Sequence, residues 1–137
     1  MPAMHRLRHT LAPGDATALA GLLAELGWSD TGNADHAEAL LLGATWFALA
    51  EVEGRVVGYA RALSDCAAVT YLAELGVAAA HRRCGIGSAL LGALVTGELG
   101  RTAIYAAATP GAVPLLTRHG IRARPGHFIA CARKPTP

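Results

Sequence analysis

The chain has 137 residues, 53% of them hydrophobic and 16% charged, and a formal net charge of +2. That length and composition suit one folded domain with its own core and exclude a disordered chain. No apolar run reaches the roughly 18 residues of a membrane span, and the first ten residues lack the apolar stretch of a signal peptide, so a cytoplasmic protein is expected.

The elements follow in chain order. Residues 4–11 alternate and predict a first strand. Pro13-Gly14-Asp15 makes a turn, with Asp15 expected as N-cap of a helix over 16–26, where Leu19, Leu22, Leu23 and Leu26 recur at helical spacing. Gly27 ends that helix and Trp28–Gly32 is a loop. Asn33 is the expected cap of a second helix through about Ala44, with Ala37, Leu40 and Leu41 inward.

Trp46–Glu51 and Arg55–Leu63 predict a hairpin turning at Glu53-Gly54. After a turn at Ser64-Asp65 comes a strand over Val69–Val77, then a loop, then a helix from about Gly85 to Leu99. Glu98 is the one charge in that helix, so burial on more than one side is expected; a face against a second copy, hence a homodimer, is the alternative. Arg101–Ala108 reads as a strand and Pro110–His119 as a short helix that must hold Pro114 in its first turn or break there. A last strand is expected over His127–Arg133. This order predicts an α/β chain: a central twisted mixed sheet flanked by helices on both faces.

Several chemistries are unsupported. Cys66, Cys84 and Cys131 are odd in number and widely spaced, and the six histidines are scattered, so neither disulfides nor a metal site is expected. Basic residues with little aromatic interleaving give no case for nucleic acid. Charge is uneven: residues 10–54 hold no Lys or Arg, while nothing after Glu98 is acidic. The acids between Asp15 and Glu38 suggest a cationic small-molecule amine as substrate; a solvated acidic face is the plainer alternative.

The informative stretch is Leu75–Leu91, LGVAAAHRRCGIGSALL. A strand feeds a glycine-containing turn at a helix start, where free N–H groups and the positive helix end favour phosphate. A Walker A loop is ruled out, since no Gly-x4-Gly-Lys-Ser/Thr run exists. A dinucleotide fingerprint fails too, because Gly85-x-Gly87 is followed by Leu90 where that motif needs glycine. Arg82-x-x-Gly85-x-Gly87 after Leu75-Gly76-Val77 instead resembles the GCN5-related N-acetyltransferase (GNAT) superfamily, and the element order agrees over nearly the whole chain.

That resemblance implies a GNAT acyl-CoA acyltransferase fold with acetyl-CoA as cofactor. Its pyrophosphate would lie on N–H groups from Arg83, Cys84, Gly85, Ile86, Gly87 and Ser88, with Arg82 and Arg83 adding positive charge. Its pantetheine arm would pair with Leu75–Val77 in a cleft where the strand over 69–77 splays from the strand over 101–108. The Val77 N–H would meet the thioester carbonyl, and Thr109 would sit where the family often has Asn.

Catalytic chemistry is less conserved in pattern. Leu115–Ile121 occupies the place of a Phe-Tyr-x-x-x-Gly-Phe-like motif, but Leu116 replaces the tyrosine that many members use as an acid. Glu74 and Tyr71, on the strand beside the reactive centre, are the substitute candidates; an Arg-paired or solvent-facing Glu74 and a packing Tyr71 are the alternatives. By the resemblance Trp28, Trp46 and Tyr59 lie near the segments that shape the acceptor side and read as core, with substrate contact as the alternative; Tyr105 reads as core. The reading is direct acetyl transfer to a small, cationic primary amine. A noncatalytic acyl-CoA-binding regulatory module and a protein or peptide N-acetyltransferase are the alternatives.

Overall fold

The computed structural model describes residues 4–28, 32–126 and 130–135. Five strands form one sheet in sequence order: β1 (His5–Arg8), β2 (Trp46–Val52), β3 (Arg55–Ser64), β4 (Val69–Val77) and β5 (Ala103–Ala106). The first four pair antiparallel, and β4 pairs β5 in parallel through α3. The helices are α1 (Asp15–Glu25), α2 (Ala34–Gly43), α3 (Ile86–Thr96) and α4 (Val113–Arg118). Among the described residues no helix is long and apolar enough to cross a membrane.

Local chemistry accounts for most boundaries. The Asn33 side chain accepts the N–H groups of Asp35 and His36, the expected cap of α2. Asp15 does not cap α1. Gly14 holds that position, while the buried Asp15 carboxylate accepts the Ala12 N–H and pairs with Arg8, which also reaches Glu51. A fixed cation at the end of the preceding strand outcompetes the local cap, and Arg8 ties β1, α1 and β2 together. Glu53-Gly54 is the two-residue turn of the β2–β3 hairpin, with Val52 opposite Arg55. Pro114 sits in the first turn of α4, where its missing N–H costs nothing.

Strand alternation assigns the two faces of the sheet. Ala50 and Gly58, paired across β2 and β3, face α3: a Cβ on Gly58 would stand 3.0 Å from Ile86 and 3.4 Å from Leu90. Leu49, Tyr59 and Gly76 lie on the opposite face, under the end of α1. No α3 residue from Ile86 to Val95 is exposed, so its apolar surface is accounted for within the chain. Leu90 joins the larger core cluster, and Leu91 and Leu94 join a second one with Leu72 and Leu116.

Three expectations need correction. Tyr105 is not core: it is 54% exposed on β5. The strand expected over 127–133 lies partly outside the described residues, and 130–133 take no regular secondary structure. β5 spans 103–106 only, because residues 98–101 close a 3₁₀ turn and 107–109 diverge from the sheet.

Candidate active site

The parallel β4–β5 ladder stops at Leu72 opposite Ala106. Beyond that pair β4 continues to Val77 beside β3, while the chain after Ala106 turns into α4. The opening is the expected cleft. Its inner chamber, about 240 Å³, is lined by Leu72–Leu75, Ala106–Thr109, Ala112, Leu115, Leu116 and Trp28. It continues into an outer groove of about 590 Å³ that runs past Val77, Arg82, Gly85–Ser88 and Arg118. Trp28, Leu75, Thr109, Ala112 and Leu115 line both, and Thr109 is the one hydroxyl shared between them.

The outer groove is built from backbone. A 3₁₀ turn (Ala79–His81) follows β4, Arg83 and Gly85 take positive φ of 61° and 82°, and α3 starts at Ile86. Among the described residues none offers an acceptor to the N–H groups of Arg83, Cys84, Gly85, Ile86, Gly87 or Ser88. Six consecutive free donors at a helix start form an anion cradle. Gly85 meets nothing within 4 Å, so its requirement is conformational: a side chain at φ +82° is strained whatever the room.

The side chains around the cradle divide. Arg82 and Arg83 line the groove, and Arg82 donates through Nε to the Val77 carbonyl at 3.0 Å, so strand end and loop are tied together. Cys84 does not line the groove. It is exposed, and its thiol lies 3.4 Å from the Arg82 carbonyl, so only its N–H belongs to the cradle. The Ser88 hydroxyl is 2.9 Å from His119 Nε2, joining α3 to the end of α4.

The β4 edge also fits a linear amide ligand. The Ala78 N–H donates to the Val57 carbonyl on β3, so by alternation the Val77 and Leu75 N–H groups lie on the opposite, cleft edge. These residues, with the cradle and the flanking arginines, have the donor set that coenzyme A requires: amide donors for pantetheine, N–H groups and cations for pyrophosphate.

The inner chamber is apolar except at a few points. Among the described residues Glu74 is the one acidic residue of its lining. It is ion-paired with Arg61 Nε, and the same carboxylate oxygen accepts the Tyr59 hydroxyl at 2.8 Å. Thus the Arg-paired alternative describes Glu74, which nevertheless stays at the cleft. Burial pushes the Tyr59 phenol well above its ordinary range, helped by the charge and hydrogen bond of Glu74. For Arg61 burial works downward, but the Glu74 hydrogen bond and charge outweigh it and the guanidinium is held cationic.

Tyr71 has no place in the cleft. It pairs with Tyr105 below the splay and is 45% exposed in a shallow depression with Leu63, Val69 and Tyr105. Leu116 is buried in the second core cluster and lines the inner chamber, so no hydroxyl stands there. Asp65 is a local cap, accepting the N–H groups of Ala67, Ala68 and Val69. His9 stacks obliquely on Trp46 away from the cleft, with ring centroids 5.7 Å apart. No His/Cys/Asp/Glu group among the described residues could hold a metal ion.

Sequence reasoning missed Arg61 and set Trp28 and Tyr59, though near the acceptor side, down as core. Trp28 is 47% exposed, and its ring covers Gly76 so closely that a Cβ there would stand 2.6 Å away. A glycine inside a strand opposite a lone tryptophan was the available signal.

Comparison with known proteins agrees with this geometry. Residues 17–121 match the model of the acetyltransferase (GNAT) family. No curated protein matches the chain. Among solved structures, a candidate acetyltransferase from Deinococcus radiodurans R1 is 26% identical, with 95% of this chain and 93% of that chain covered and a TM-score of 0.77. The aminoglycoside N-acetyltransferase AAC(6')-Iy in complex with coenzyme A is 17% identical over 99% of this chain and 98% of its own, with a TM-score of 0.73. An aminoglycoside acetyltransferase from an uncultured soil metagenomic sample is 24% identical, covering 95% and 99%, with a TM-score of 0.68.

Proposed function

The chain belongs to the GNAT acetyltransferase family, and from that premise we propose that it transfers the acetyl group of acetyl-CoA to the primary amine of a small cationic molecule by direct attack. The observation that carries the amine reading is Glu74, a carboxylate at the edge of an otherwise largely apolar chamber, three residues before Val77 on the same strand. An ammonium entering that chamber finds a carboxylate oxygen, Oε2, able to accept its N–H groups, while Arg61 offsets the net charge through Oε1. The acids of α1 and α2, which first suggested a cationic substrate, do not line the chamber, and Asp15 is already neutralised by Arg8.

Acetyl-CoA supplies the activated thioester. The residues of the chain do the rest. The cradle from Arg83 to Ser88 holds the pyrophosphate, with Arg82 and Arg83 beside it. The Val77 N–H, free on the cleft edge, is the donor for the carbonyl oxygen as it gains charge. Glu74 accepts the N–H groups of the acceptor and takes, directly or through water, the proton that its ammonium must lose before the nitrogen attacks the thioester carbonyl and the thiolate of coenzyme A leaves. Leu116 cannot donate to the leaving sulfur, and Thr109, the hydroxyl between the two chambers, is the neutral donor nearest that role.

A thiol-release assay over matched acceptors tests the reading. Monoamines, polyamines and aminoglycosides (the acceptor class in the names of two structural neighbours) are compared with neutral and anionic analogues. Cationic primary amines should give the highest kcat/KM. A preference for anionic or uncharged acceptors would sink it.

A further inference from the structure

β4 carries a bulge whose consequence lies at the substrate end of the cleft. Arg61 pairs with Glu74, but the next residue on β3, Ala62, pairs with Leu72, leaving Ala73 as the extra residue. Along a regular strand Leu72 and Glu74 would share a face. The bulge puts them on opposite faces: Leu72 packs with Leu91 and Leu94 beneath α3, and Glu74 lies with Tyr59 and Arg61.

The three polar groups then meet in an asymmetric way. Tyr59 and Arg61 are two apart on β3 and therefore on one face. The Tyr59 hydroxyl, on a side chain with no exposed surface, and Arg61 Nε both donate to Oε1 of Glu74. Among the described residues no group donates to Oε2. The Glu74 side chain keeps 22% of its surface and lines the inner chamber. One oxygen is thus anchored to the sheet while the other is left as an acceptor, and the carboxylate has lost the rotational freedom that a solvated glutamate has.

We propose that Tyr59 and Arg61 are positioning residues that clamp Oε1 of Glu74, so that Oε2 receives the ammonium group of the acceptor. The clamp serves the amine specificity of the reading above and rests on it. Tyr59 and Arg61 touch neither coenzyme nor amine; they act through Glu74. Fixing the carboxylate in advance removes ordering cost from amine binding, and neutral Tyr59 with cationic Arg61 balances the buried side of the carboxylate.

Calorimetry on the coenzyme A-saturated protein separates this clamp from turnover. The probes are n-butylamine, 1,4-diaminobutane and an aminoglycoside. Glu74→Gln should weaken the best-bound probe roughly tenfold, as expected for a charge-assisted hydrogen bond. Tyr59→Phe and Arg61→Gln should each weaken it about threefold to tenfold, with Arg61→Lys recovering part of the loss. In the Glu74→Gln background neither change should have further effect, because the residues act through that carboxylate. Coenzyme A affinity should stay within about twofold throughout, a readout that general disruption would move. Losses that add in the double variants, or a wild type that binds none of the probes, overturn the clamp. If Arg61→Gln does not fold, the Tyr59→Phe cycle decides alone, since it removes one oxygen only. Thiol release from acetyl-CoA reads the parent function separately: amines that bind through Glu74 but release no thiol would defeat the transfer reading and leave the clamp standing.

Discussion

The two ends of the cleft are built on different principles. The outer groove presents backbone: six free N–H groups set out by a turn and a helix start. The inner chamber presents side chains from two strands, placed by sheet register and one bulge. Backbone donors survive wide changes in side chain as long as the turn is kept. The side-chain cluster weakens if any one member changes, because both donors meet on the single oxygen Oε1 of Glu74.

The contrast can be broken from either end. The largest effect is expected for Gly85→Asp. A side chain at φ +82° costs about 1–2 kcal/mol of strain, and a carboxylate would repel the pyrophosphate. Calorimetry should show coenzyme A affinity falling at least about 100-fold in a folded variant; unchanged affinity would refute the cradle.

Next is a control outside both ends. Asp15→Ala leaves Arg8 without its main partner and should cost about 3 kcal/mol in denaturant unfolding, with coenzyme affinity unchanged. The Arg8 hydrogen bond holds the Asp15 carboxyl below its ordinary range, so its folded-state value lies under its unfolded one. The stability it adds is present above about pH 4 and is lost as pH falls below that, and the acid limb should flatten in the variant.

A third change acts where the two chambers join. Gly76→Ala drives a Cβ into the Trp28 ring, which must move; a cost of about 1–2 kcal/mol and a shift in tryptophan emission are expected. Unaltered emission would mean that Trp28 is not held by the strand. The smallest effect is expected for Ser88→Ala. Its N–H remains in place while its bond to His119 is lost, so coenzyme A affinity should fall by no more than about threefold. A loss beyond tenfold would show that the cradle depends on side chains after all.

What was legible in the sequence was what neighbours along the chain decide. Arg82-x-x-Gly85-x-Gly87 after a β-like run specified strand, turn and helix start, because φ preferences and helix ends are properties of a few adjacent residues. Asn33 as a cap and Glu53-Gly54 as a hairpin turn were readable for the same reason. Leu116, with no hydroxyl to offer, was an equally local fact.

Tertiary structure decided everything that needs a partner from elsewhere. Asp15 looked like a cap until Arg8 arrived from β1, and a full charge at 2.6 Å outweighs a nearby amide. Tyr71 and Glu74 looked equivalent along β4, and the bulge at Ala73 even sets them on one face of the sheet, yet only Glu74 lies beyond the splay at Leu72 and lines the cleft, while Tyr71 is exposed below it. The partners of Glu74 lie 13 and 15 residues away and come into register only through the β3–β4 ladder. Sequence by itself determined the local conformations that cradle a phosphate. Which carboxylate faces the substrate was decided only by the packing of the sheet, because a one-residue slip in pairing exchanges its two faces.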